Sequence, residues 1–485
     1  MLNILSKVNK DITALAIGKM LQVTLALLSV RLLTTFLSET QIGSYYLLLT
    51  LLTLFNFAFL NPVGQYYNRY VLYWKNNSNL SNANVMLFLA RTLGIVLSLF
   101  VAAFIFYIFD YSELFTIGSF LFFIFFSLAA GSYLVFLNVI NLLGNRLCFI
   151  KYLLASLILG IVIAIVTNLF ISKTGMAWLY GVAIAQIILF VPMYKVIGNY
   201  DKVDVSYLFQ KINLATCKKV LIFSLPVTLT LFLQWGQNSS YRIIVEDKYT
   251  VEVLSYIAVG LAVSTSIFTA VEGLATQYFM PDYLKNINNS TKDTRALAWN
   301  YLASYMIPIY FLLMIFVICT SPFLMTLLVN EKYHNAYPYV MIGASIEFFR
   351  VTSNLIYLVS QSEMRTKTTI FPYLLGFLLM MVGLYSLSES SPLWFVPIIL
   401  SFTYFLISTL LFFNMRKLLI IKIPFKSLGI AIILSLPFIT LLFINSNIGL
   451  AASFIAVGAF GCFFLFSSFL IIKRAKNNNV YLDRN

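Results

Sequence analysis

The sequence predicts an all-α polytopic membrane protein, and three observations lead to that class. Hydrophobic residues make up 61% of the 485 residues and charged residues 10%, whereas soluble domains carry about 25% charged residues. Apolar runs of about 18 or more residues recur along the chain, and each is long enough to cross about 30 Å of hydrocarbon as a helix. The runs do not alternate in polarity like the strands of about 10 residues that build a membrane barrel.

The apolar runs predict about 14 transmembrane helices. They lie at 12–36, 41–62, 85–108, 114–142, 148–171, 176–197, 219–243, 252–275, 297–319, 336–360, 368–387, 392–414, 425–445 and 449–472. Lys and Arg concentrate in alternate loops, whereas the opposite loops hold only Lys173, Lys248 and Lys332. Because short cytoplasmic loops carry the excess of basic residues, both termini are predicted to be cytoplasmic. The net charge of +15 follows from this topology and does not indicate nucleic acid.

The charged segment after the sixth run divides the predicted helices into two sets. The expected regions are an N-terminal six-helix lobe at 1–199, a cytoplasmic linker at 200–218, a C-terminal six-helix lobe at 219–414, and two additional helices with a basic tail at 415–485. An even number of helices in each lobe indicates a parallel repeat, related by an axis along the membrane normal.

Few ionisable residues fall inside the predicted spans, where a charge costs at least about 2.5–3.5 kcal/mol. They are Lys19, Arg31, Arg91, Arg242, Glu272, Glu347 and Arg350. Arg31 and Arg242 occupy matching positions, because Ser44-Tyr45 and Ser255-Tyr256 repeat at the same offset. The cations outnumber the acids, so we expect an anionic substrate to supply the missing negative charge.

Each of these residues also has a structural interpretation. Arg31, Arg242 and Arg91 lie about two turns from a predicted membrane face, so that their long side chains can reach the headgroup region. Glu347 and Arg350 are three residues apart on one predicted helix and can form an ion pair. On sequence grounds alone, both the structural and the functional interpretations stay open.

Two further residues have predicted roles in transport. Glu272, near the cytoplasmic end of the eighth span, is a candidate protonatable coupling group, alongside Glu347. Pro226 predicts a hinge within the seventh span, because proline removes a backbone hydrogen bond and kinks a helix. The single histidine and the four isolated cysteines form no catalytic set or metal-ligand spacing. We therefore predict no enzyme activity, no metal and no cofactor.

Short motifs follow one another in a fixed order over the first twelve spans. They are Arg31-Leu32-Leu33, Ile42-Gly43-Ser44-Tyr45, Gly64, Arg69, Ser224-Leu225-Pro226, Trp235 to Arg242, Met280-Pro281 and Tyr333-His334-Asn335-Ala336. Together they resemble the Wzx-type polysaccharide-biosynthesis flippases of the multidrug/oligosaccharidyl-lipid/polysaccharide (MOP) exporter superfamily.

The resemblance implies two six-helix lobes that form a V-shaped central cavity. It also implies a flippase that moves an oligosaccharide unit such as O-antigen, linked to undecaprenyl-type pyrophosphate, to the outer leaflet of the bacterial inner membrane. Membrane lipids, a polymerase and other polysaccharide assembly proteins are the expected partners. Because arginine binds phosphate through paired hydrogen bonds, the expected substrate contacts are Arg31, Arg242, Lys19, Arg350 and Arg91.

Some features depart from this family. Tyr241 precedes Arg242, where many such flippases have an acid. Fourteen spans resemble the lipid II flippases, but those concentrate cations in the first lobe, and here the sequence divides them between the lobes. Drug exporters place an acid in the first lobe, and none lies deep in the first six spans. The competing interpretations are a lipid II flippase, a drug/cation antiporter, or a membrane polymerase or ligase with a long outer loop.

Overall fold

The computed structural model describes residues 2–198, 214–287, 290–443 and 449–478, and the described residues contain no β-strand. The α-helices are α1 Leu2–Phe36, α2 Glu39–Phe55, α3 Asn61–Asn76, α4 Leu80–Ile108, α5 Ile117–Ala130, α6 Ser132–Leu142, α7 Arg146–Phe170, α8 Gly175–Gly198, α9 Leu214–Ser239, α10 Tyr241–Lys248, α11 Val251–Ile287, α12 Lys292–Leu328, α13 Tyr337–Ser362, α14 Ile370–Ser386, α15 Phe395–Arg416, α16 Phe425–Ile439 and α17 Leu450–Asn478. Short 3-10 turns lie at Tyr111–Glu113, Glu331–Ala336, Thr366–Thr369 and Thr440–Phe443, and a π-helical turn lies at Asn56–Leu60.

The predicted fold class is confirmed. Among the described residues, thirteen helical segments are long and apolar enough to cross a membrane. The predicted span at 336–360 corresponds to α13, which has 26 residues but carries Glu347 and Arg350 and is not one of the thirteen. Helices dominate because the hydrocarbon core offers no water to satisfy backbone N–H and C=O groups, which must therefore bond within the helix.

Several spans contain an interruption of the regular α-helix. The π-helical turn Asn56–Leu60 joins α2 to α3, Gly131 separates α5 from α6, and Ser240 separates α9 from α10. Irregular backbone at membrane depth has to be covered by protein or water. A polar or charged side chain follows two of these interruptions closely: Ser132 begins α6, and Arg242 lies two residues after Ser240.

Contacts group the chain into two compact units. The first unit comprises Met1–Ser29 and Phe36–Ser255, and the second comprises Val30–Thr35 and Tyr256–Asn485. In the first unit α7 packs along α8, and in the second α12 packs against α13, α16 and α17. The seventh span, formed by α9 and the first residues of α10, belongs to the first unit.

The predicted lobes were defined by the internal sequence repeat, whereas the two units are defined by contacts. The division into 1–199, 219–414 and 415–485 stays a prediction. The predicted linker at 200–218 lies outside the described residues up to position 213.

The first turns of α2 and α11 meet at a glycine within the first unit. A Cβ atom added to Gly43 would overlap the carbonyl oxygen of Val251. The hydroxyl of Thr40 donates to Glu252 Oε1 at 2.6 Å in the same contact. Small residues allow helix backbones to approach closely in membranes, so Gly43 permits this crossing.

We expect Gly43→Ala to lower the stability of the protein by about 1–3 kcal/mol, because the added methyl group must displace backbone. The apparent melting temperature of purified protein in detergent would measure the loss. Gly458→Ala in α17 is the matched control, since nothing lies within 4 Å of a Cβ atom added there. Equal melting temperatures for the two variants would contradict the proposed close contact.

Candidate functional site

Arg242 lies near the start of α10, and tyrosine side chains enclose its guanidinium group. The Cζ atom of Arg242 is 5.2 Å from the centre of the Tyr46 ring and 5.5 Å from that of Tyr241. Its Nε donates to the Tyr241 hydroxyl at 3.2 Å, and its Nη1 donates to Thr50 Oγ1 at 3.3 Å. Two helices hold this arginine, because Tyr46 and Thr50 belong to α2.

Arg242 has no carboxylate partner in the described part of the chain. A cation–π contact contributes about 0.5–2 kcal/mol, and hydroxyl oxygens are neutral acceptors. These groups hold the guanidinium in place, but they do not neutralise its charge. Among the described residues, only the Nε and Nη1 of Arg242 donate hydrogen bonds, so its Nη2 has no partner there. Such a group can attract an anion and donate to it.

Arg31 lies in the last turns of α1, and its contacts belong to the second unit. Its Nη1 donates to the backbone carbonyls of Thr326, Leu327 and Val329 at 3.0, 2.8 and 3.0 Å. These carbonyls lie where α12 ends, at Leu328. The end of a helix leaves carbonyl groups unpaired and carries partial negative charge, so Arg31 caps α12.

Glu272, Glu347 and Arg350 come together in the second unit, between α11 and α13. The Nε of Arg350 donates to Glu347 Oε2 at 2.7 Å, and its Nη2 donates to Glu272 Oε2 at 3.0 Å. The remaining carboxylate oxygens accept hydrogen bonds from Thr265 and Asn354, each at 2.8 Å. Two carboxylates around one guanidinium leave the cluster with one net negative charge when both acids are ionised.

We expect Arg350→Met to destabilise the protein by about 3–5 kcal/mol, because it leaves two carboxylates without their cation in a poorly exposed place. Changing Glu272 and Glu347 to Gln in the same chain should restore part of the loss. Arg295→Met is the matched control, since Arg295 pairs with Glu363 nearer the helix ends. A melting temperature for Arg350→Met equal to that of the control would contradict the predicted contribution of the cluster to stability.

The remaining predicted site residues belong to the first unit. Arg91 is 2% exposed; its Nε donates to Ser132 Oγ at 3.0 Å, and its Nη1 has no partner among the described residues. Lys19 is half-buried in α1 and has no carboxylate partner in the described chain. Pro226 lies inside α9 with its ring exposed, and its carbonyl accepts from Thr230 Oγ1 at 3.1 Å. The hinge stays a prediction.

Of the predicted site residues, the described contacts join Glu272, Glu347 and Arg350 into one group and leave the rest separate. The sequence did not point to the neutral partners: Thr50, Thr265 and Asn354 look ordinary within apolar runs. The motif Ile42-Gly43-Ser44-Tyr45 ends one residue before Tyr46, which the sequence did not single out. No group of His, Cys, Asp and Glu side chains that could hold a metal ion occurs in the described part of the chain.

An acidic residue with an altered pKa lies on the same short helix as Arg242, outside the apolar spans. Burial, and then the neighbouring Asp247, raises the pKa of Glu246 to about 7. Burial, and then these two carboxylates, also raises the pKa of Tyr111. The hydroxyl of Tyr111 is buried and has no hydrogen-bond partner among the described residues.

The raised pKa of Glu246 predicts a pH dependence of stability. The folded protein keeps a proton that the unfolded chain loses above the ordinary carboxyl pKa, so the stabilisation is full below that pKa and is lost as the pH rises through about 7. Glu246→Gln should therefore raise the melting temperature at pH 8 but change it little at pH 4.5. The exposed Glu389→Gln is the control. Parallel pH profiles for wild type and Glu246→Gln would contradict this assignment.

Solved structures with the same fold are membrane transporters. The inward closed conformation of the lipid II flippase MurJ matches with a TM-score of 0.65 and 14% identity, over 96% of this chain and 99% of that chain. An inward-facing multidrug resistance MATE family transporter of the MOP superfamily matches with a TM-score of 0.54 and 12% identity, over 84% and 97%. A MOP superfamily transporter from Pyrococcus furiosus matches with a TM-score of 0.54 and 12% identity, over 84% and 95%.

The family evidence is structural, since no protein-family model matches the chain and a comparison with curated proteins finds no match. At these identities the structural likeness shows the fold alone. It confirms the predicted all-helical fold class, and membership of the Wzx-type flippases and their substrate stay proposals. The chain is a multi-pass membrane protein with the fold of MOP superfamily transporters and flippases.

Proposed function

We propose that this chain is a flippase for an oligosaccharide linked to polyprenyl pyrophosphate, such as an O-antigen unit on an undecaprenyl-type carrier. It would move the substrate from the cytoplasmic to the outer leaflet of a bacterial inner membrane by alternating access. The observation that carries the proposal is Arg242, a positive charge in a membrane fold that two tyrosines contact and that has no acid partner among the described residues. The likeness to MurJ, a flippase for lipid II, supports a lipid-linked substrate.

A pyrophosphate headgroup fits this arginine chemically. It carries several negative charges and acceptor oxygens, and hydrogen bonds between ionised groups are about twice as strong as neutral ones. Lys19 and Arg91, which also lack a carboxylate partner in the described chain, would add positive potential in the first unit. Arg350 would reach the substrate only by exchanging its two carboxylate partners. The Nη1 of Arg31 is already bonded to the carbonyls at the end of α12.

A lipid II flippase is the second candidate. The sequence argued against it because the cations were divided between the lobes, and the contacts in the structure weaken that argument. By contacts, Arg242 belongs to the first unit, and the cation of Arg350 is offset by two acids. Of the predicted site cations without acids in the described chain, Lys19, Arg91 and Arg242 belong to the first unit, and Arg31, which caps α12, belongs to the second. The two candidates differ in the glycan, not in the pyrophosphate.

An enzyme or a drug exporter fits the structure less well than a flippase. A polymerase or ligase would carry a long outer loop. The connections between described helices on the predicted outer side are short, including those at 109–116 and 387–394. A drug/cation antiporter needs negative charge for its substrate, and Arg242 would repel an organic cation. A polymerase and other assembly proteins remain proposed partners of the flippase.

We expect Arg242→Ala to weaken binding of undecaprenyl pyrophosphate by about tenfold to a hundredfold, because hydrogen bonds to charged groups contribute about 1.5–3 kcal/mol. Affinity would be measured on purified protein in nanodiscs. Arg242→Lys should keep part of the affinity, since the charge remains without the planar fork. Binding of the uncharged undecaprenol should not change in either variant.

The matched control is Arg146→Ala, which removes an exposed arginine at the start of α7. Equal affinity of wild type and Arg242→Ala for undecaprenyl pyrophosphate would refute the proposed role of Arg242. Vesicles that contain the protein and labelled lipid-linked glycans then distinguish the two candidates. Faster flipping of lipid II than of a lipid-linked oligosaccharide without peptide would favour the lipid II flippase.

A further inference from the structure

One threonine on α2 contacts both sides of the interruption in the seventh span. Thr50 is fully buried, at 0% exposed. Its backbone carbonyl accepts a hydrogen bond from Trp235 Nε1 at 3.0 Å, and its hydroxyl oxygen accepts one from Arg242 Nη1 at 3.3 Å. Trp235 lies at the end of α9 and Arg242 at the start of α10, so Thr50 fixes α2 to the chain before and after Ser240.

The hydroxyl group of Thr50 is oriented for this contact. Thr50 Oγ1 donates its proton to the carbonyl of Tyr46, one turn earlier, at 2.8 Å. A hydroxyl has one proton and two lone pairs, so the lone pairs remain to accept from Arg242. The local helix therefore sets the acceptor direction, independently of any ligand.

The tyrosine rings around Arg242 attract its positive charge but do not fix the orientation of the guanidinium group. The rings of Tyr46 and Tyr241 act through their faces, and this attraction varies little with rotation of the guanidinium in its plane. The hydrogen bonds of Nε to the Tyr241 hydroxyl and of Nη1 to Thr50 are directional. With two of its three nitrogens fixed, the direction of Nη2 is fixed as well.

We propose that Thr50 is a positioning residue for anion binding, because its hydroxyl aims the Nη2 of Arg242 at the phosphoryl oxygens of the substrate headgroup. This inference rests on the proposed function. Thr50 does not touch the substrate, and it acts through Arg242. It selects for a phosphoryl group over a neutral headgroup, since only the anion gains from the aligned guanidinium.

Thr50→Val is the test variant, because valine keeps the shape and the backbone carbonyl but removes the hydroxyl. We expect it to weaken binding of undecaprenyl pyrophosphate by about three- to tenfold, the range for one lost hydrogen bond, with no change for undecaprenol. Thr50→Ser should restore the affinity. The matched control is Thr320→Val in α12, since Thr320 is also 0% exposed and donates to the carbonyl of Phe316 one turn earlier. Among the described residues, no arginine donates a hydrogen bond to it.

A double-mutant comparison separates positioning from a general structural role. In an Arg242→Ala background, Thr50→Val should cause no further loss of affinity, because the residue through which it acts is absent. A further loss there, or wild-type affinity of Thr50→Val in the native background, would overturn the inference. If Thr50→Val binds like wild type but Arg242→Ala binds weakly, the inference is wrong and the proposed function stands. If neither variant loses affinity, the inference and the proposed function are both wrong. If Thr50→Val does not fold, Thr50→Ala takes its place in the same comparison.

Discussion

A positive charge inside a membrane protein must find negative potential nearby, and this requirement organises the functional residues of the chain. Arg31 meets it with the carbonyl groups at the end of α12, and Arg350 meets it with two carboxylates. Arg242 has only ring faces and hydroxyls around it in the described chain. Carbonyls, ring faces and hydroxyls carry only partial charge, so Arg350 is compensated by full charges, whereas Arg31 and Arg242 keep their net positive charge in the described chain.

Similar sequence around Arg31 and Arg242 does not produce similar environments. Arg31 belongs to α1, which continues unbroken to Phe36, whereas the seventh span is interrupted at Ser240, just before Arg242. The interruption starts a new short helix, and the arginine at its beginning packs on α2. A repeated residue thus became a helix cap in one copy and a tyrosine-enclosed cation in the other. Matching sequence positions pointed to both residues but did not predict their different environments.

The sequence could predict the fold because membrane helices follow from local properties, namely apolar length and loop charge. It could also predict that Glu347 and Arg350 face each other, since three residues are less than one helical turn. The addition of Glu272 could not be predicted, because its contact depends on how α11 packs on α13. Backbone acceptors for Arg31 carry no sequence signal at all. Thr50 was missed because a threonine in an apolar run is unremarkable until its neighbours are known.

Arg242 and the cluster of Glu272, Glu347 and Arg350 differ in the sign of their net charge when both acids are ionised, and this bears on where the proposed headgroup can bind. In the second unit, Glu272 and Glu347 exceed Arg350 by one negative charge, which would repel a phosphoryl group at short range. In the first unit, Arg242 retains its positive charge. Since hydrocarbon and buried protein screen charge weakly, a pyrophosphate would gain energy at Arg242 and lose it at the acidic cluster. The sign of the charge therefore favours Arg242 over the acidic cluster as the place of the proposed headgroup.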